Sequence, residues 1–293
     1  MFHKNQITHA WIPGILFIII FVSISAGQDS FDNLRKRFGN LRLLDEKPSG
    51  EEQMERERER EENPATTEEE EIEELPGMVY VPAGDFTMGT NIGFDYEFPE
   101  HKVFLEGFHI DKYEVSNMQY KRFIDYTGHP APHNWKKGSF PGGKGFFPVT
   151  DIFYTDAAAY AKWAGKRLPT EAEWEKAARG TDGYNYPWGN QWKKGFANIR
   201  PTMGFGSMKP IGSYPEGISK YGAYDMCGNV WEWTSSDFEA YKGNSEPNDN
   251  FGKGNKVIRG GSYRQSEVMG QSIRRDFMDP EKRRSDVGFR CVR

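Results

Sequence analysis

The sequence contains few cysteines, because only Cys227 and Cys291 among its 293 residues carry a thiol. Small exported domains that depend on disulfides carry more cysteines, and a chain of this length buries enough apolar surface without them. The two residues either pair with each other or remain buried thiols, and the sequence leaves both alternatives open. A disulfide framework is therefore excluded as the basis of the fold.

The chain also lacks an internal repeat, long Leu/Ala-rich helices and any stripe of basic residues. Its 32 Gly, 17 Pro and 15% aromatic residues indicate many turns around an aromatic interior. The net charge of −5 comes from the low-complexity residues 51–75, where 13 Glu and 3 Arg occur, whereas residues 76–293 carry +3. We interpret 51–75 as an acidic solvated linker and expect no nucleic-acid partner.

The N-terminus carries an apolar run from Ala10 to Gly27, which follows Lys4 and ends in small residues. This pattern is typical of a secretory signal, but the run also approaches the roughly 17 residues that span a bilayer. Residues 1–27 are therefore predicted to be either a signal peptide or a signal anchor. Both predict an extracytoplasmic chain (secreted, periplasmic or lumenal), and the anchor adds membrane attachment. Residues 28–50 have helical spacing of apolar side chains and are predicted to be a short amphipathic segment, either a helix next to the membrane or a nascent helix in a mobile tail.

Strand and turn signals begin near Leu75. The segment Gly77–Thr90 has β-branched and aromatic residues interrupted by Pro82 and Gly84, which predicts a hairpin. Residues 101–111 alternate apolar and polar side chains and predict further strands.

Three helices are indicated by capping residues. Asn117 begins one that runs to Tyr126, and Asp156 caps a second that ends at Gly165. Thr170 and Glu173 form a capping box for the third, which directs Trp174, Ala177 and Ala178 inward and ends at Gly180.

The stretch "YDMCGNVWEWTSSD" places Glu232 between Trp231 and Trp233. In a strand the two tryptophans face one side, and Val230 and Glu232 face the other. A carboxylate beside a core strand is costly unless another group satisfies it.

Six motifs occur in order between Gly77 and Arg293: "MVYVPAGDFTMGT", "GKRLPTEAEWEKAARG", "YPWGN", "GAYDMCGNVWEW", "RGGSY" and "VGFRC". Together they resemble the formylglycine-generating enzyme (sulfatase-modifying factor) domain family, which has a C-type-lectin-like core. The resemblance implies a single compact α+β domain over 76–293, with little regular secondary structure.

The resemblance also implies calcium as a cofactor. The family's site corresponds to the side chains of Asp225 and Glu232 and the carbonyls of Gly228 and Val230, a mixture of oxygens that suits this ion. The alternative is that Glu232 pairs with an arginine. A second calcium site would use Asn198 and Ile199, but the loop that follows has no Asp and is shortened.

The oxidase activity of the family requires two thiolates that hold Cu(I) after the RGGS motif. In this sequence the two positions are Gln265 and Gly270, which supply no thiolate. Cys227 and Cys291 lie in other motifs and are not expected to substitute. Copper is therefore not expected, and no catalytic residue is assigned.

The sequence gives little support to other possible metal ligands. Pro130 and Pro132 prevent the helical face on which His129 and His133 would share a metal, and Met269 is interpreted as a packing residue.

Three functions remain. The first is an exported, calcium-stabilised binding or scaffold module whose partner is an unknown protein or peptide. Its candidate groove residues are Ser262, Gln265, Gly270 and Arg274. The second is an enzyme of the same family with altered chemistry, acting in protein modification or as an oxidoreductase. The third is a structural component of an envelope secretion or motility complex.

Overall fold

The computed structural model describes residues 74–201 and 206–293, which belong to one compact unit, Glu71–Arg293. Regular elements are short and separated by turns, as the content of Gly and Pro predicts. The strands are β1 (Met78–Val81), β2 (Gly84–Met88), β3 (His101–Leu105), β4 (Phe108–Asp111), β5 (Trp231–Asp237), β6 (Lys256–Arg259), β7 (Arg275–Met278) and β8 (Val287–Gly288); the α-helices are α1 (Asn117–Thr127), α2 (Tyr154–Trp163) and α3 (Glu171–Arg179); and 3-10 turns cover Asp95–Glu97, Pro215–Gly217 and Glu267–Gly270.

The segment Gly77–Thr90 does not form the predicted hairpin. β1 pairs antiparallel with β4, where Val81 lies opposite Phe108, and β2 pairs antiparallel with β3, where Gly84 lies opposite Leu105. Pro82 has no N–H to donate, so the ladder breaks there and the chain bends. The two short strands therefore form one bent arm that pairs with residues 101–111.

A four-stranded sheet with the order β7-β6-β5-β8 forms the second half of the domain, and β5 and β8 are parallel. Trp231 and Trp233 of β5 are fully buried in the main core cluster, which also contains Tyr120, Tyr160 and Phe289. Glu232 is equally buried but points to the opposite face of the strand, where α3 packs. The alternation predicted for this strand is confirmed.

The helix ends follow the capping chemistry with small changes. Ser116, rather than Asn117, is the N-cap of α1, because its hydroxyl accepts a hydrogen bond from Gln119 N. Asp156 lies within the first turn of α2 and accepts a hydrogen bond from Phe153 N, so it is not the N-cap. The capping box of Thr170 and Glu173 in α3 is confirmed.

Helix α3 is joined to the sheet by buried ion pairs. Glu171 and Glu175 lie one turn apart on α3, and both bind Arg259 of β6, at 3.1 and 2.6 Å. Arg275 of β7 adds a 2.9 Å bond to Glu171. The apolar face of the same helix buries Trp174, Ala177 and Ala178 as predicted. The helix therefore positions both the core and the polar cluster that lies beneath β5.

The predicted signal or anchor (1–27), the amphipathic segment (28–50) and the linker up to residue 73 lie outside the described residues. Among the residues that the structure describes, no helix combines the length and hydrophobicity needed to cross a membrane.

Candidate functional site

The partner of Glu232 is Arg290. The guanidinium binds both carboxylate oxygens, with Nε 2.7 Å from Oε2 and an NH2 nitrogen 2.8 Å from Oε1. The indole N–H of Trp174 donates a third hydrogen bond to Oε2 over 2.8 Å. All three side chains are fully buried. The arginine partner that the sequence left open for Glu232 is therefore present.

A second carboxylate, Glu114, lies in the same buried cluster. Its Oε1 accepts a 2.8 Å hydrogen bond from the Asn229 amide, whereas its buried Oε2 has no hydrogen-bond partner among the described residues. Asp225 is a neighbouring buried carboxylate, and its Oδ2 accepts a bond from Gly212 N over 2.6 Å. Burial, together with the neighbouring Asp225 carboxylate, raises the pKa of Glu114 well above its ordinary value.

The cluster carries more negative than positive charge. Burial also raises the pKa of Asp225, and the bond from Gly212 and the charge of Arg290 only partly oppose this. Burial lowers the pKa of Arg290, but Glu232, Glu114 and Asp225 outweigh it and raise this pKa above its ordinary value. If all three carboxylates were ionised, two negative charges would remain, and two protons or one divalent cation at Glu114 and Asp225 would neutralise them.

These residues fit a calcium ion in part. Asp225 and the unpartnered oxygen of Glu114 are suitable ligands, whereas both oxygens of Glu232 are already bound by Arg290. Within residues 74–201 and 206–293, no group of three or more His, Cys, Asp or Glu side chains is arranged to hold a metal. The carbonyls of Gly228 and Val230 belong to the turn that leads from Asp225 into β5.

The two predicted calcium segments lie side by side. Asn198 forms a parallel bridge with Gly228, and the Asn198 side-chain amide donates to Asn229 Oδ1 over 2.9 Å. A Cβ at Gly228 would lie 2.3 Å from Asn198 O, so this close approach requires glycine. Ile199 packs against the cluster of Cys227 and Tyr186. The loop that follows includes residues outside the described range, so the second calcium site stays a prediction.

Gln265 and Gly270 stand at the two positions that correspond to the family's thiol pair. The side-chain carbonyl of Gln265 is hydrogen-bonded to the Ser262 hydroxyl. Gly270 is buried, and a Cβ at this position would lie 2.7 Å from Cys227 Sγ. Although Cys227 lies in another motif, the turn before β5 brings its sulfur to the space that a side chain at 270 would fill.

Neither cysteine is paired. Cys227 and Cys291 are both buried free thiols, which decides between the two alternatives of the sequence analysis. Burial, with a smaller contribution from the Asp225 carboxylate, raises the pKa of Cys227 far above its ordinary value. Burial therefore favours the protonated thiol over the thiolate, which is the form that attacks electrophiles.

Ser262 anchors the surface formed by residues 262–270, which we call the 262–270 surface. Its buried hydroxyl lies 2.9 Å from Asp286 Oδ2, and Arg284 binds Asp286 through two 3.0 Å contacts. Burial alone would raise the pKa of Asp286, but Arg284 and Ser262 outweigh it and hold this pKa below its ordinary value. The resulting carboxylate orients the Ser262 hydroxyl at neutral pH.

Arg274, the fourth groove candidate, is buried and does not face solvent. Its guanidinium binds Glu97 and lies 4.9 Å from the ring centroid of Phe94, and its Nε donates to Val268 O over 3.2 Å. It therefore connects the 262–270 surface to the loop around Glu97. Of the four predicted groove residues, only Gln265 keeps a partly exposed side chain.

Sequence reasoning missed Glu114, Asn229, Asp286 and Arg290. The only available signal was that Arg290 lies in the "VGFRC" motif, and this does not indicate which acid it binds. Their roles depend on contacts between distant segments, such as the 58-residue separation of Glu232 and Arg290.

Comparisons with known proteins show to which family the chain belongs. The model of the sulfatase-modifying factor enzyme 1-like domain matches residues 63–293. The chain belongs to this family. It is 34% identical to a formylglycine-generating enzyme of Streptomyces coelicolor over 281 residues, a match that covers 74% of this chain and 88% of the relative.

The chain is also similar to a relative that is named inactive and to a solved structure. The mouse (Mus musculus) protein named inactive C-alpha-formylglycine-generating enzyme 2 is 30% identical over 274 residues, covering 74% of this chain and 87% of the relative. The solved structure of PvdO from Pseudomonas aeruginosa superposes with a TM-score of 0.60 at 26% identity, covering 74% of this chain and 93% of that one. The single α+β domain of the sulfatase-modifying factor type is therefore established.

Proposed function

We propose that this protein is a binding module that retains the family fold without the copper-dependent oxidase. The observation that supports this is the exchange at Gly270, where the buried Cys227 sulfur takes the space that a thiol-bearing side chain would need. Gln265 supplies an amide at the other position, and an amide is a poor ligand for Cu(I). The family includes relatives named inactive, which is compatible with this assignment.

The proposed binding surface is the 262–270 surface, and the proposed partner is a protein or peptide. Val268 exposes 45% of its surface there, whereas Ser262 and Gly270 are buried. The N-terminal apolar run supports export, so the module would meet its partner outside the cytoplasm. Calcium would be held by Asp225 and Glu114 with the carbonyls of the turn before β5, and would neutralise the charge of the buried cluster.

Removing calcium is expected to lower the melting temperature of the purified protein. A ligand that binds only the native state stabilises it by mass action, and about 100-fold excess over Kd contributes roughly 2.7 kcal/mol. The measurement is a thermal melt in EGTA and in excess calcium. The difference in melting temperature between EGTA and excess calcium should disappear in the Asp225→Asn variant. It should persist in the Asp95→Asn variant, which changes a solvent-exposed carboxylate. An unchanged melting temperature in EGTA would contradict the site.

An aldehyde assay tests the loss of oxidase activity. The protein is loaded with Cu(I), mixed with a CxPxR-type peptide in air, and the peptide is examined by mass spectrometry. We expect no aldehyde, whereas the Streptomyces coelicolor relative serves as the positive control. Conversion of the cysteine by this protein would overturn the proposed function.

A peptide-display screen tests the binding surface. Peptides selected on the full chain are measured against Val268→Glu, which places a charge on the 262–270 surface, and against Ile218→Glu as an exposed control outside it. We expect Val268→Glu to weaken binding at least about tenfold, which corresponds to 1.4 kcal/mol. Equal binding by the two variants would reject this surface.

A further inference from the structure

A cavity of about 210 Å³ lies between two loops on the side of the domain that carries Arg274. One loop contributes residues 93–96 and the other contributes residues 246–248 and Phe251. Hydrogen bonds hold the two loops together: the Asn244 amide donates to Asp95 O over 2.7 Å and to Phe98 O over 3.0 Å. Arg275 also holds Tyr96 O over 2.9 Å.

Three of the lining side chains are aromatic. Phe94 and Tyr96 stack with ring centroids 5.4 Å apart, and Tyr96 and Phe251 both pack against Phe238. Phe94 already has a cation beside it, because the guanidinium carbon of Arg274 lies 4.9 Å from its ring centroid. Aromatic faces attract cations through the ring quadrupole, and this wall uses that interaction within the protein itself.

The charged side chains that line the cavity are acidic. Asp95 and Glu246 are exposed, and neither forms a salt bridge with a described residue. The nearby Arg274 is already neutralised by Glu97. Burial, followed by the charges of Glu97 and Asp276, raises the pKa of Tyr96 to about 12, so its phenol stays neutral.

An aromatic wall with two free carboxylates and a volume of this size favours one class of ligand. We propose that this cavity binds an organic cation that joins its charge to an apolar body, namely an alkylated ammonium or a guanidinium group. A methylated lysine or an arginine of a peptide would carry such a group, and so would a free quaternary amine. The inference is independent of the proposed function, because it uses a different surface and none of the residues at 262–270.

The test is an NMR titration of the purified protein with choline and with its neutral isostere, 3,3-dimethyl-1-butanol. Both fill the same volume, so a difference between them measures the contribution of the charge. We expect choline to bind about ten times more tightly, since cation–π and carboxylate attraction are absent for the alcohol. Equal affinities, or no binding of choline at millimolar concentration, would overturn the proposal.

Variants locate the site. Glu246→Gln keeps the shape and should weaken choline binding by about twofold to fivefold, as expected for one exposed ion pair. Tyr96→Leu removes a ring and should weaken it further, with a thermal melt to verify that the variant is folded. Glu216→Gln, an exposed carboxylate outside the cavity, should leave binding unchanged. If Glu246→Gln and Tyr96→Leu both bind like wild type, the assignment is wrong.

A second pair of probes identifies the source of the cation. Blocked trimethyllysine and blocked arginine are titrated beside choline. Tighter binding of either amino acid than of choline indicates a peptide partner, and the reverse indicates a free amine; both outcomes support the cavity as an organic-cation site.

Discussion

Replacing Arg290 by methionine is expected to lower the free energy of unfolding by about 3–5 kcal/mol. Arg290 is fully buried and binds both oxygens of Glu232. Its loss leaves a buried carboxylate that, among the described residues, accepts a hydrogen bond only from Trp174. The cost arises from the uncompensated charge, since apolar replacement of a whole buried pair is often neutral. Urea unfolding followed by tryptophan fluorescence measures the effect.

Two further variants separate the charge from the packing. Glu232→Gln with Arg290→Met removes the carboxylate and keeps an oxygen that accepts from the Trp174 indole, so the double variant should recover part of the loss. It should not recover all of it, because Arg290 also attracts Glu114 and Asp225. A loss below about 1 kcal/mol in Arg290→Met would mean that Glu232 is satisfied by another group.

Replacing Gly270 by cysteine, which restores one position of the family's thiol pair, is expected to destabilise the protein by about 1–3 kcal/mol. The new Cβ would lie 2.7 Å from Cys227 Sγ in a fully packed region, so one of the two must move. Gly142→Cys is the matched control, because a Cβ there meets nothing within 4 Å. Thermal and urea unfolding of both variants provide the comparison.

Removing the Cys227 sulfur should relieve the steric clash with a side chain at position 270. Cys227→Ala combined with Gly270→Cys removes the clashing sulfur and should restore most of the lost stability. Adding Gln265→Cys to that double variant completes the thiol pair, and we expect it to bind Cu(I), which the wild-type protein should not. If Gly270→Cys alone is as stable as wild type, Cys227 does not occupy the space that the structure gives it.

Helix caps, helix faces and strand alternation were predictable from the sequence, because they depend on residues that are close together in the chain. The capping box of Thr170 and Glu173 and the inward face of α3 involve residues within one or two helical turns. The alternation around Glu232 was also read correctly, since side-chain direction in a strand follows residue parity. The predicted hairpin at Gly77–Thr90 failed because its partner strands lie at 101–111, and pairing between segments is not a local property.

The candidate site was only partly predictable for the same reason. The sequence located Gln265 and Gly270 as thiol-free positions, but it could not show that Cys227 fills the space beside Gly270. It identified Glu232 as a carboxylate in need of a partner and left metal and arginine as alternatives. It assigned Arg274 to a groove, whereas the structure buries this residue against Glu97 and Phe94.

The sequence by itself determined the family, the absence of the thiol pair after the RGGS motif, and the elements whose signals are spaced along one helix or strand. Only the tertiary structure decided that Arg290 satisfies Glu232, that Glu114 joins Asp225, and that Cys227 meets Gly270. These contacts join residues far apart in the chain. A buried charge or cavity selects its partner by proximity after folding, and no local spacing encodes which distant side chain arrives there.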